Sequence, residues 1–243
     1  MITDQCALHA LLEQDFRVDL LVAEGDRVAQ GAPVLRSRRQ PDLVLVAPVA
    51  GEVARIELGA GRRLANIQFF HAPEAGRHQH DTTAAGDGSD ADATRALLLS
   101  SGMWPRLRSR PFGRVPAPGE VASAIFVMMI DTRPDAPPPL LAIEGREEDF
   151  GRGLRALAAL TEGPVFVCVD KDDDATALVG DDDRFRIASL TPVHPHGLAG
   201  FQILQRHPAQ IERRVWDIHA EDVADIGALL ATGLLDRPLQ LAN

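Results

Sequence analysis

Few residues in this chain have both the type and the spacing to do chemistry. The densest stretch is Ser101-Gly102-Met103-Trp104-Pro105-Arg106-Leu107-Arg108-Ser109-Arg110-Pro111-Phe112-Gly113-Arg114-Val115-Pro116, which carries four Arg and no acid. Forked guanidiniums in that density suit carboxylates, phosphates or a partner surface. A second stretch, His194-Pro195-His196-Gly197-Leu198-Ala199-Gly200, sets two imidazoles at i and i+2, a spacing open to metal ligation or proton transfer. The simpler expectation there is a tight turn in which His194 hydrogen-bonds the backbone. His78 and His80 lie in PEAGRHQHDTTAAGDGSDAD, which has no apolar period, so they are expected to be solvated rather than metal-bound. Asp170, Asp172, Asp173 and Asp174, and then Asp181 to Asp183, lack the spaced pattern and distal Glu of a calcium loop. Cys6 and Cys168 are too few for a four-thiolate cluster and argue against a disulfide-stapled fold. No nucleophile elbow, P-loop or GxGxxG occurs, and Gly151-Arg152-Gly153 is too short to replace one. The sequence therefore predicts no catalytic residue and no metal site.

The charge pattern isolates the Arg stretch. The 243 residues carry a net charge of −10, with 24 Arg but one Lys, Lys171. Residues 1–80 net −1, residues 81–94 net −4, residues 95–114 net +5 and residues 115–243 net −10. A broadly basic surface is missing, which excludes general nucleic-acid binding. Hydrophobic residues at 45% suffice for packed cores, and no apolar run approaches bilayer length. Met1 to Gln14 has no basic n-region, so no signal peptide and a cytoplasmic location are expected.

The elements that must position these residues fall into two blocks. From Arg17 to Phe70, short β-branched runs alternate with turns at Glu24-Gly25-Asp26, Gly31 and Ala47-Pro48, predicting a small all-β barrel or sandwich. Residues 73–92 read as a flexible linker or surface loop. From Ala93 onward, helix and strand patterns alternate, as in an α/β layer fold. Helices are expected over 93–101, 149–160 and 221–232, and strands over 122–130, 165–169, 184–190, 201–204 and 214–218. The predicted class is thus α/β (α+β), with a β domain over 1–72, a linker over 73–92 and a Rossmann-like α/β domain over 93–243.

Val22-Ala-Glu-Gly25-Asp26-Arg-Val28-Ala-Gln-Gly31-Ala-Pro-Val-Leu35, followed by Ala47-Pro-Val-Ala-Gly51-Glu-Val53, resembles the biotinyl/lipoyl-type barrel-sandwich hybrid. Carrier versions attach their cofactor to a Lys on an exposed hairpin tip. The only Lys here lies elsewhere, so a structural or docking role is expected.

A longer resemblance runs along most of the chain. It rests on Ser101-Gly102-Met103-Trp104, Arg108 to Phe112, Val115-Pro116, Ala124 to Val127 with Asp131-Thr132, and Leu160 to Gly163. It continues through His194 to Gly200, Trp216-Asp217-Ile218, and Asp222-Val223 through to Thr232-Gly233. In that order these segments resemble the NqrA family, whose members are subunits of the sodium-translocating NADH:quinone reductase. The resemblance implies a soluble, non-catalytic peripheral subunit on the cytoplasmic face of the inner membrane. It further implies, as partners, the other subunits of a membrane complex that oxidises NADH, reduces ubiquinone and exports Na⁺. The family's wider relatives are flavin-binding NADH dehydrogenase subunits, in which a glycine-rich loop follows the Ser-Gly pair. Here that loop is replaced by Pro105 to Phe112, whose bulky side chains and two prolines predict a fold of this kind without its flavin or NADH. No cofactor is therefore expected on this chain, with ubiquinone the ligand of the complex. His196 falls where the family carries a small residue.

Three roles are open for the island. Arg108 and Arg110 could pair with acids such as Asp131 or Asp217 while Arg106 and Arg114 stay solvated. The island could dock on a partner subunit or anionic headgroups. It could bind an anion or orient a quinone carbonyl. The residues expected at a quinone or partner site are Trp104, Arg106, Arg108, Arg110, Phe112 and His194. Against the family pattern the chain is either a piece of a longer member or a short stand-alone paralogue, the latter acting as a ligand- or protein-binding module outside the complex.

Overall fold

A computed structural model describes residues 5–9, 16–173, 175–180 and 182–235. The chain forms two compact units. One takes the described residues within Met1–Asp81, Ala96–Pro105 and Gly233–Asn243, and the other those within Thr82–Arg95 and Arg106–Thr232. The chain passes from the second unit back to the first inside helix α1 (Ala91–Ser100), beyond which Gly102 takes a φ of +74°.

The first unit is built of seven strands: β1 (Gln5–His9), β2 (Val18–Leu20), β3 (Arg27–Val28), β4 (Pro33–Ser37), β5 (Val44–Val46), β6 (Gly51–Gly59) and β7 (Arg63–His71). They form two antiparallel sheets of order β1-β7-β6-β3 and β2-β4-β5. Val18, Val28, Val34, Leu35, Leu45, Val53, Ile67 and Phe69 are buried. Gly25 and Gly31 adopt the left-handed φ that the turn pattern required, +88° and +83°. Strand β1 lies within the expected β domain but ahead of the strands read from Arg17 onward; it pairs with β7 in the register Cys6 to Phe69 and Leu8 to Ile67.

The second unit carries β8 (Arg108–Arg110), β9 (Ile125–Met128), α2 (Glu147–Ala159), β10 (Val165–Asp170) and α3 (Thr176–Val179). It continues with β11 (Phe185–Leu190), α4 (Ala199–Arg206), β12 (Val215–His219) and α5 (Ala220–Thr232). The sheet order is β11-β10-β9-β12-β8. The first four strands run parallel, and β8 closes the edge antiparallel to β12. The expected α/β layer is therefore present, with a mixed sheet. Strand β9 and residues 165–169 of β10 read as unbroken apolar runs because both faces are covered. On one face Phe126, Met128, Phe166, Cys168, Ala188 and Leu190 pack with Ile203 of α4.

Helices α2 and α5 approach through glycine. A Cβ on Gly153 would stand 2.0 Å from the Val223 carbonyl oxygen, and one on Gly227 1.7 Å from the Asp149 oxygen. Any side chain at either position would force the two helices apart.

Residues 201–204, expected as a strand, are instead the middle of helix α4. A four-residue apolar run carries no period of its own. Here Gln202 and Ile203 are buried, and Gln202 ties the helix to the His196 carbonyl (2.8 Å).

Candidate functional site

The Arg stretch begins at the edge of the α/β sheet. Strand β8 pairs with β12 so that Arg108 lies opposite Asp217, and Arg110 opposite Val215. On the outer side the chain turns back: Ser109 N–H donates to the Arg114 carbonyl (2.6 Å), and Gly113 N–H to the Ser109 carbonyl (2.8 Å). Backbone amides that would face a phosphate in a glycine-rich loop are thus engaged in a strand ladder and a tight turn.

The side chains go to different places. Arg110 forms a two-pronged pair with Asp217, Nε to Oδ1 at 2.6 Å and Nη2 to Oδ2 at 3.2 Å. This is one of the pairings the sequence offered. Hydrogen bonding to Asp217 raises the Arg110 pKa against the lowering effect of burial. Arg106 was expected to be solvated in the same reading, but its Nε lies 3.7 Å from Asp222 Oδ1, in the first turn of α5. The sequence separation of the two hides this pairing from any local pattern. Arg108 donates to the Leu107 carbonyl (3.0 Å). Trp104 is fully buried and belongs to the first unit.

Phe112 and Arg114 remain at the surface. Phe112 is 58% exposed, and the guanidinium carbons of Arg114 and Arg214 stand 5.7 and 5.1 Å from its ring centroid. Arg214 was not singled out by the sequence; it precedes β12 and reaches Phe112 only once β12 has paired with β8.

The second His stretch lies at the end of β9. His194 Nδ1 is 3.2 Å from the Thr132 carbonyl, the backbone contact that the turn reading expected. Gly197 N–H donates to Thr132 Oγ1 (3.1 Å), and a Cβ on Gly197 would be 2.6 Å from the Thr132 nitrogen. Among the parallel strands the order reverses between β9 and β12, and in sheets of this type the crevice past the strand ends at that reversal is where ligands bind. Here the backbone of the Gly197 turn packs directly on the residues leaving β9. Asp131, alongside, is paired with Arg133, not with Arg108 or Arg110.

The expectation of a solvated His80 is overturned. His80 is 7% exposed, and its N–H donates to the Gly233 carbonyl (2.8 Å). Its ring meets His78 edge-on with centroids 4.7 Å apart, and its Nε2 has no hydrogen-bond partner among the described residues. Burial, then the neighbouring His78, push its pKa down to about 4. Among the described residues no three His, Cys, Asp or Glu gather as a metal site.

Among the described residues Ser123 and His207 stand as a nucleophile–base pair would, Oγ to Nε2 at 3.1 Å. Ser123 Oγ donates its proton to the Arg214 carbonyl (2.9 Å), so His207 Nε2 must be the donor to Ser123. The pair is structural. An open groove of about 560 Å³ lies beside α2 and α3, but its charged lining, Glu147, Arg152, Arg155 and Asp182 among it, is of both signs.

An N-terminal unit of two antiparallel sheets, followed by an α/β unit with a mixed sheet, defines the class: a barrel-sandwich hybrid joined to an α/β domain. Residues 3–71 match the family described as NqrA N-terminal barrel-sandwich hybrid domain, and residues 89–235 the one described as NqrA second alpha/beta domain. The chain belongs to the NqrA family. It is similar to the NqrA component of the Na(+)-translocating NADH-quinone reductase of Shewanella amazonensis, 36% identical over 90% of this chain and 49% of the relative. The same component from Tolumonas auensis is 34% identical over 100% of this chain and 56% of the relative. That of Rhodopirellula baltica is 34% identical over 96% and 53%. The chain spans about half the length of the curated relatives it matches. Among the described residues no helix is long and apolar enough to cross a membrane.

Proposed function

We propose that this chain serves as a non-catalytic peripheral part of a sodium-translocating NADH:quinone reductase, contributing to assembly and to the quinone-reducing side while holding no flavin itself. The observation that carries the flavin-free reading is the engagement of the 108–114 backbone. Its amides close a sheet edge and a turn, so they do not converge on an anion, and Arg110 is tied to Asp217. Membership of the NqrA family supports the assignment to the complex. The cytoplasmic face of the inner membrane is the location this reading carries, with the other subunits of the complex as partners and ubiquinone as the ligand of the assembly. The α/β unit is then a relative of the flavin-binding domain of NADH dehydrogenase subunits, in which β8 and its turn stand where the phosphate loop would be.

The test is co-expression with the remaining subunits of such a complex, followed by purification on a tag borne by one of them. Stoichiometric co-elution of this chain, with the chain purified alone showing no flavin absorption, is the expected result. Failure to co-elute refutes the subunit role and favours a stand-alone ligand- or protein-binding module. Stoichiometric flavin on the isolated chain refutes the flavin-free reading.

A further inference from the structure

Six arginines of the α/β unit are paired with carboxylates: Arg110 with Asp217, Arg106 with Asp222, Arg133 with Asp131, Arg146 with Asp225, Arg152 with Asp149, and Arg184 with Asp182. Arg114 and Arg214 are placed differently. Among the described residues neither has a carboxylate partner, yet both are gathered on one exposed ring, Phe112. Two like charges held on one side chain repel, and in a chain of net −10 there is no shortage of acids to separate them. The loop that delivers Arg214 also exposes Ile211, 63% accessible, three residues earlier.

We infer that Phe112, Arg114 and Arg214 form a docking surface for an acidic segment of a partner protein, with carboxylates received by the two guanidiniums and an apolar side chain laid against the Phe112 ring. Charge complementarity selects this occupant. Arg and aromatic side chains are the types that anchor protein interfaces, and a guanidinium already stacked on a ring loses little freedom when a carboxylate arrives. An anionic membrane is the poorer fit. Stable attachment to headgroups takes a larger basic cluster, and the excess acid of the rest of the chain would be repelled by the same surface. The other Arg of the island are held elsewhere: Arg106 by Asp222, Arg110 by Asp217, and Arg108 through the Leu107 carbonyl.

The test uses the full chain and a fluorescein-labelled peptide of alternating Glu and Leu, read by anisotropy at low and at physiological salt. Saturable binding that weakens with salt is expected. The double variant Arg114→Gln/Arg214→Gln and the variant Phe112→Ala should each lower affinity about tenfold. Arg27→Gln, which removes one exposed charge from the first unit, should leave binding unchanged. Thermal midpoints of all variants should match the parent, and if Phe112→Ala alone unfolds, the Arg double variant carries the test. No binding overturns the proposal, as does equal loss in Arg27→Gln or equal binding of the Gln-for-Glu peptide. Tighter, variant-sensitive binding to phosphatidylserine vesicles than to the peptide also overturns it, in favour of a membrane.

Discussion

Replacing Gly227 by Ala should unfold the α/β unit more easily, although the same exchange usually strengthens a helix. Gly227 lies inside α5, where Ala is favoured over Gly by about 1 kcal/mol. Against that gain stands a Cβ 1.7 Å from the Asp149 carbonyl oxygen and 2.6 Å from its carbon. Both atoms are backbone of α2, so neither can swing away, and α2 and α5 must part by about 1.5 Å to reach ordinary contact. Overpacking a core costs about 1–3 kcal/mol where side chains can yield, and here none can, so about 3–4 kcal/mol is expected. The net loss is about 2–3 kcal/mol, or roughly 4–12 °C in melting temperature for a chain of this size. Gly153→Ala should behave alike, since its Cβ would stand 2.0 Å from the Val223 oxygen. Gly151→Ala is the control in the same helix. Its nearest neighbours are the Arg155 Nη1 at 3.8 Å and the Leu178 oxygen at 3.9 Å, so it should be neutral or stabilising by up to about 1 kcal/mol. Circular dichroism at the helical band, followed through heat or urea, reads all three. A Gly227→Ala protein as stable as the parent, or a Gly151→Ala protein as damaged as Gly153→Ala, refutes the glycine-interlock argument.

The buried imidazole of His80 makes stability depend on pH. Its folded pKa of about 4 lies below the ordinary value of 6.5, so the unfolded chain takes up the proton first. Its contribution is constant above pH 6.5 and is lost as pH falls from there towards 4, by up to about 1.4 kcal/mol per pH unit. Urea midpoints of parent and His80→Asn across that window should diverge in slope; parallel curves would reject the assignment. Asp217→Asn leaves Arg110, one-third exposed, with a neutral partner and should cost about 1–2 kcal/mol, less than for a fully buried pair. Urea unfolding would show it, and an unchanged midpoint would mean that water already satisfies Arg110. Cys168 is fully buried with its thiol pushed up to about 12, so a thiol reagent at mild alkaline pH should modify at most one cysteine of the native chain, Cys6, and both once it is denatured.

The sequence exposed those elements whose signal is local. Residues 165–169 of β10 and the run around β9 are apolar because both faces are covered, and α2 and α5 show their faces at helical spacing. It misled where the deciding contact is distant. Residues 201–204 are too few to show a period. His80 is buried by Gly31 and Gly233, far away in the chain. Within the island, Arg110 and Asp217 could be paired as a guess, but Arg106 with Asp222 and Arg214 on Phe112 exist only because β12 lies next to β8 and leads into α5. The family motifs pick out the Arg stretch. Which of its cations are paired within the fold is a property of the sheet.

Lys171, the single lysine of the 243-residue chain, sits just past β10 with its Nζ 2.9 Å from Asp172 Oδ1 and its side chain half exposed. In practical terms it is a unique chemical address. An amine-directed cross-linker or dye finds one side chain here, so with the α-amine blocked a distance so measured starts at one known point. A lysine-specific protease has one cut to make in this chain, between β10 and β11. That cut would leave the two adjacent parallel strands β10 and β11 on separate fragments. How fast native protein yields to it is therefore a clock for the opening of that edge of the sheet.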